Sequence, residues 1–326
     1  MSELPAISVL MPVYNAQRYV GAAVESILAQ TFGDYEFIIV DDGSKDDSLS
    51  ILQKYADKDK RIQILSRPNT GIVGALNDGL ALCRADWIAR MDADDWAYPT
   101  RFERQLAFMK EHPDYLAAGT DYELMDSDGD PIEVRTNPHE PMKVESTLME
   151  GVCCLQHPTV IMSRKPVMEL GGYRRAYQWA EDYDLFLRLC LLGKIANQPE
   201  ALLRYRVHES SVCQTRSAEQ ADIVLRARAE AWRAKYGVEP DMDNPVVAVS
   251  MLPPELYRSW AHLAWGAGHH ATATKYARRY LRHVGINRES WRLLMDCDTR
   301  MQLPKRLWQQ TGRIGRKLPV VWRWWA

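Results

Sequence analysis

Tyr35-Glu36-Phe37-Ile38-Ile39-Val40-Asp41-Asp42-Gly43-Ser44 decides the fold of this chain: a run of apolar and β-branched residues that ends abruptly in two carboxylates and a glycine turn. Such a run reads as a buried strand, and Asp46 or Asp47 is placed to cap a helix reaching Tyr55. The same unit lies on both sides. Upstream, Ile7-Ser8-Val9-Leu10-Met11-Pro12-Val13 is a strand, and Val20, Ala23, Val24, Ile27 and Leu28 recur at helical spacing. Downstream, Arg61 to Leu65 is a third strand, Ile72 to Cys83 a third helix and Trp87 to Met91 a fourth strand. Strands alternating with helices imply parallel pairing through right-handed crossovers, hence a doubly wound α/β sheet whose ligand sits at the carboxyl ends of the strands.

The polar residues collect at those ends. Tyr14-Asn15 closes the first strand, Asp41 to Ser44 the second, Arg67-Pro68-Asn69 the third and Asp92-Ala93-Asp94-Asp95 the fourth. Turn chemistry accounts for any one of them. Together, an aromatic, paired carboxylates, an arginine and an acidic triplet suit a nucleoside diphosphate: Tyr14 to stack on a base, Asp42 to accept from a ring N–H, Arg67 to face phosphate. Asp92 and Asp94, alternate residues at a strand end, share a side, and their mutual repulsion favours a hard cation, Mg2+ or Mn2+. The plain alternative is an acidic loop leading into the helix that Pro99-Thr100-Arg101 begins.

The second half is less regular. Tyr115 to Met125 and Ile132 to Arg135 flank a Ser127-Asp128-Gly129-Asp130 turn as a hairpin, and Gln156 to Met162 runs from a polar start into a strand. His157 in that start has a structural reading as well as a functional one. Trp179-Ala180-Glu181-Asp182-Tyr183-Asp184 opens an apolar helix with an acidic first turn. Helix capping explains such a turn, but the same N–H groups and dipole would keep Asp182 ionised, ready to take a proton from a hydroxyl. Leu202 to Val207 is a short strand before His208, which on spacing alone is a loop histidine.

In order, Pro12-Val13-Tyr14-Asn15, Val40-Asp41-Asp42-Gly43-Ser44, Asn69-Thr70-Gly71 with Ala75-Leu76-Asn77-Asp78-Gly79, Met91-Asp92-Ala93-Asp94-Asp95, His157-Pro158-Thr159, Leu170-Gly171-Gly172-Tyr173, Glu181-Asp182-Tyr183-Asp184 and Tyr205-Arg206-Val207-His208 closely resemble the inverting family 2 glycosyltransferases of the GT-A fold. The resemblance spans about Ala6 to Ser211. It implies transfer of one sugar, with inversion, from a nucleotide-diphosphate sugar (a UDP-sugar by default) to a hydroxyl of a glycan, lipid-linked or small acceptor, in cell-surface polysaccharide or glycoconjugate synthesis. On matching positions, Pro12, Tyr14 and Asp42 hold the base, Asp92 lies near ribose or metal, Asp94 is on the cation and Asp182 is the catalytic base. Arg67 completes the donor side, His208 matches a position that reaches metal or diphosphate in some relatives, and His157, Glu181 and Trp179 fall on the acceptor side. The Gln-x-x-Arg-Trp motif of processive synthases is missing from the sequence. Two alternatives remain: a sugar-nucleotide-binding scaffold without catalysis, and a nucleotidyltransferase. A dehydrogenase is disfavoured, since no Gly-x-Gly-x-x-Gly follows the first strand.

The expected domains are 1–236 for the GT-A unit, 237–298 for a helical appendage and 299–326 for a tail. Tyr257 to Val284 is a helix pair with small-residue spacing that loosely resembles a tetratricopeptide hairpin or serves as a plain helical cap. From Thr299 on every charged residue is basic, interleaved with Trp308, Trp322, Trp324 and Trp325. That pattern suits an anionic membrane surface, with a disordered tail or tryptophans packed on the core as alternatives. A net charge of -2 argues against a general nucleic-acid binder. Six cysteines without metal or disulfide spacing, and no leader-like N-terminus, lead to a cytoplasmic protein, peripheral on the cytoplasmic face of the membrane at most.

Overall fold

In the computed structural model, residues 4–208, 217–239 and 254–298 are described. The tail from 299, positions 209–216 and most of the expected linker (240–253) lie outside them. The chain divides into two units: the first takes 4–124, 134–206 and 217–239, the second 125–133, 207–208 and 254–298.

The first unit is built on β1 (Ile7–Val13), α1 (Val20–Leu28), β2 (Tyr35–Asp41), α2 (Ser48–Ala56), β3 (Ile62–Ser66), α3 (Ile72–Leu82) and β4 (Trp87–Arg90). The chain continues through β5 (Trp96–Ala97), α4 (Arg101–Glu111), β6 (Tyr115–Met125) and β7 (Pro131–Arg135), whose hairpin turn over 125–133 counts with the second unit, and α5 (Pro141–Met149). The last elements are β8 (Ile161–Ser163), α6 (Arg164–Glu169), α7 (Glu181–Leu192), β9 (Lys194–Arg206) and α8 (Ser217–Tyr236). Strand order is β3-β2-β1-β4-β8-β6-β9-β5. The first four are parallel, as the alternation predicts, and β4–β8, β8–β6 and β9–β5 are antiparallel. Every residue of β1 and β2 is buried, because helices cover both faces. One face packs Leu10, Ile38, Ile88 and Ala117 against Leu76 and Tyr183, and the other packs Val9, Phe37, Ala89 and Ala118 against Ile27 and Phe102.

Several local expectations shift. Asp46, not Asp47, does the capping work at α2: its Oδ1 accepts the Ser48 N–H at 3.0 Å. The expected strand from Gln156 starts as a 3-10 turn over His157–Thr159, where Pro158 lacks an N–H and has a fixed φ, and β8 proper begins at Ile161. The short strand at Leu202 is the end of the 13-residue β9. Its polar start is legible only in three dimensions, where buried Asn197 donates Nδ2–H to the carbonyls of Pro138 (2.8 Å) and Cys154 (2.9 Å).

In the second unit the expected helix pair is α9 (Glu255–Gly266) and α10 (His270–Val284), joined by α11 (Arg288–Cys297). Asn287 caps α11 by accepting the N–H groups of Glu289 and Ser290, both at 2.9 Å. The acidic hairpin turn belongs here. Asp126, fully buried, accepts from Lys275 Nζ at 2.6 Å and the Tyr276 hydroxyl at 2.9 Å, and Lys275 also reaches Asp128 and Asp130. Among the described residues no helix is long and apolar enough to cross a membrane.

Candidate active site

The β1 and β2 ends are laced by local bonds. Asn15, held at φ +50, donates its N–H to Ser44 Oγ (3.0 Å) and accepts from Lys45 N–H (2.8 Å), leaving Tyr14 48% exposed beside them. Pro12 is buried in β1 opposite Val40. Asp42, also buried, accepts the N–H groups of Thr70 and Gly71, each at 3.0 Å, and Arg67 Nη2 lies 3.0 Å from it. Arg67, expected to face phosphate, is paired here with Asp42 and with Asp78 (3.0 Å) and donates to the Thr70 hydroxyl. Gly43 sits at φ +72, and a Cβ there would lie 2.8 Å from Asn69 N, so only glycine closes this corner.

The β4 end is built differently. The strand stops at Arg90, and Asp92 and Asp94 are brought together by a turn rather than by strand alternation. Asp92 receives Arg90 Nη2 at 2.6 Å and keeps 30% of its side-chain surface exposed. Desolvation raises its pKa, Arg90 opposes the rise and neighbouring Asp94 adds to it. Asp95 is buried, its Oδ1 accepting the Arg206 N–H at 2.7 Å, and burial with the two other carboxylates pushes its pKa well up. Arg206 also donates Nε–H to the Asp94 carbonyl at 2.6 Å, fixing the turn to the end of β9.

Facing this turn is the start of α7. Trp179, at φ +83, donates its N–H to Glu181 Oε2 at 2.7 Å, and its carbonyl accepts from Gln220 at 2.8 Å. Glu181 is buried, and desolvation with Asp182 beside it raises its pKa to about 7. Asp182 is part-exposed and accepts the Tyr183 N–H at 2.7 Å. The helix start does not dominate it: burial outweighs that bond and raises its pKa. Asp184 is structural, clamped by Arg174 and by Arg188 (2.8 Å). His157 lies beneath the site, sharing a 2.8 Å hydrogen bond with the Tyr173 hydroxyl and packing edge-on against Phe186. Burial and Arg90 push its pKa well down, which keeps it neutral. His208 follows β9 and belongs to the second unit.

The family model for glycosyl transferase family 2 matches residues 8–171. The chain belongs to that family. An uncharacterized glycosyltransferase of Haemophilus influenzae is 31% identical over 76% of this chain and 80% of its own length. The O-antigen biosynthesis glycosyltransferase WbnJ of Escherichia coli is 33% identical over 64% of this chain and 82% of its length. Among solved structures, a mannosyltransferase of Pyrobaculum calidifontis in complex with GDP-Man and Mn2+ matches with a TM-score of 0.56 at 17% identity, covering 95% of this chain and 84% of that one. S. aureus TarS 1–349 in complex with UDP-GlcNAc matches at 0.54 and 18%, covering 95% and 93%. The fold of this family 2 glycosyltransferase is thus the GT-A type α/β sheet, followed by a helical appendage.

Arg90 is the site residue of this glycosyltransferase that sequence reasoning missed. It is 2% exposed, binds Asp92 and the Met91 carbonyl, and its charge acts on Glu181 and Asp182. Its signal was present as the one cation inside an otherwise apolar strand. Arg101 lies behind it, donating to the Arg90 carbonyl at 2.8 Å, with its pKa lowered to about 9 by burial.

Proposed function

We propose that this glycosyltransferase moves a single sugar from a nucleotide-diphosphate donor, by default a UDP-sugar, to an acceptor hydroxyl with inversion, in polysaccharide or glycoconjugate synthesis. One observation carries the reading: two carboxylate pairs, Asp92 with Asp94 and Glu181 with Asp182, meet at one sheet edge with buried Arg90 as the cation acting on both. Solved structures of the same fold support the donor class, since TarS is solved with UDP-GlcNAc and the Pyrobaculum calidifontis mannosyltransferase with GDP-Man.

Two neighbouring part-exposed carboxylates, with burial and Asp94 beside it raising the pKa of Asp92, fit a hard divalent cation. Diphosphate oxygens of the donor would complete the coordination of an ion held by this pair. Mg2+ or Mn2+ held there would neutralise charge developing on the departing nucleoside diphosphate. Tyr14 and Asp42 take the base side. Asp182, part-exposed where Glu181 is buried, takes the proton of the attacking hydroxyl while the acceptor oxygen bonds to the anomeric carbon and the diphosphate leaves from the opposite face. No covalent enzyme intermediate forms, so one displacement gives one inversion.

The test is nucleotide diphosphate release across a panel of sugar nucleotides, with Mn2+ or with EDTA, for wild type and Asp94→Asn, and proton NMR of the product anomer. Release that needs metal and Asp94, with an inverted product, is expected. Metal-independent release or a retained anomer contradicts the reading.

A further inference from the structure

An acid–imidazole pair stands on the same edge, unused by the chemistry above. His139 Nε2 donates to both oxygens of Asp121, at 3.1 and 3.2 Å; Asp121 is buried while the imidazole keeps 35% of its surface exposed. Nδ1 of that ring has no partner among the described residues. With Nε2 carrying the proton toward the carboxylate, Nδ1 is the acceptor atom of a part-exposed ring held in one orientation.

Strand register places the pair. Ala89 of β4 is level with Ile161 of β8, and Ile161 with Ala118 of β6. Two antiparallel steps restore direction, so β6 runs with β4 toward the catalytic edge. Asp121 lies as far beyond Ala118 as Asp92 lies beyond Ala89, two strand spacings or about 10 Å to the side. That side is away from β1, β2 and β3, which carry the base-binding groups. Asp121 also shares a sheet face with Ala117, which packs in the layer of Tyr183, Leu185 and Phe186 from α7. The pair and Asp182 therefore occupy the same edge and the same face.

Holding the loop does not require the imidazole. Asp121 Oδ1 already accepts the Asn137 N–H (2.9 Å), Asn197 N–H donates to the His139 carbonyl (3.1 Å), and Asn197 Nδ2 donates to the Pro138 carbonyl (2.8 Å). Three bonds pin residues 137–139 by their main chain, and the oriented ring is extra.

We propose that His139, aimed by Asp121, accepts a hydrogen bond from a sugar hydroxyl in the acceptor subsite, so that the acceptor is a glycan recognised beyond the hydroxyl that reacts. The proposal rests on the acceptor side assigned to Asp182, and it narrows the acceptor from glycan, lipid-linked or small molecule to a saccharide chain.

Saturation-transfer NMR tests it, with p-nitrophenyl mono- and disaccharides of glucose, galactose, mannose and N-acetylglucosamine as probes in the presence of UDP. Wild type should bind at least one disaccharide, and His139→Ala should weaken that binding by about tenfold, the scale of one lost hydrogen bond. His139→Gln, whose amide oxygen still accepts, should recover part of it. UDP affinity and melting temperature should not move in either variant. Undiminished binding by His139→Ala, or no probe bound by wild type, overturns the proposal. A wild type that binds the disaccharide but not UDP would bring down the donor reading and leave this one standing.

Discussion

The two halves of the catalytic edge handle polar groups in opposite ways. At the ends of β1, β2 and β3 each charge is matched close at hand: Asp42 has two backbone N–H groups and Arg67, and Asp41 has Ser44 N–H and Ser66 Oγ. Across from them, the proton affinities of Asp92, Asp95, Glu181 and Asp182 are all raised by burial, with the Arg90 charge opposing the rise at each. The first half spends its polar groups on shape. The second keeps charge under-compensated, as the proposed cation and acceptor proton would require.

The strongest attempt to break this contrast is Arg90→Met. Removing the buried cation should cost about 3–5 kcal/mol in urea unfolding, because the carboxylates around it lose their counter-charge. A cost under about 1 kcal/mol would mean the catalytic half is not short of positive charge. Next in size is Gly43→Ala, which forces a Cβ against Asn69 at a positive φ. It should cost about 1–3 kcal/mol and weaken donor binding, while the catalytic step of bound donor stays near normal.

The smallest effect sharpens the comparison by pH. Glu181 titrates near 7 when folded, against an ordinary value of 4.5. Between these values the folded chain keeps a proton that the unfolded chain has released, so its contribution to stability falls as pH rises through that window. Glu181→Gln removes the slope. The variant should match wild type near pH 4 and exceed it above pH 7 by on the order of 2 kcal/mol in chemical denaturation. Parallel stability curves for the two proteins would show that Glu181 is not held protonated by its surroundings.

The halves also differ in how legible they were in sequence. The strand–helix alternation, the hairpin at Tyr115–Met125 and the four polar ends could be read directly, because each depends on residues close in the chain. What was hidden depends on distant partners. The pairing of Arg67 with Asp42 and Asp78 does not show in the sequence, and His157 keeps both a structural and a functional reading until Tyr173 and Phe186 are seen to enclose it. Asp121 and His139 lie 18 positions apart with a hairpin between them, and nothing local pairs them. Asp182 shows the same limit in energy: its helix start was visible, the burial that outweighs it was not.

The measurement that tests the division most directly is a paired experiment on Asp42→Asn and Asp182→Asn, recording donor affinity by calorimetry and turnover at saturating donor. The account predicts a crossed result: Asp42→Asn binds donor weakly but turns it over at a near-normal rate once saturated, whereas Asp182→Asn binds it normally and turns over about 10²- to 10⁴-fold more slowly. Equal losses of affinity and turnover in both variants, or near-normal turnover by Asp182→Asn, would contradict it.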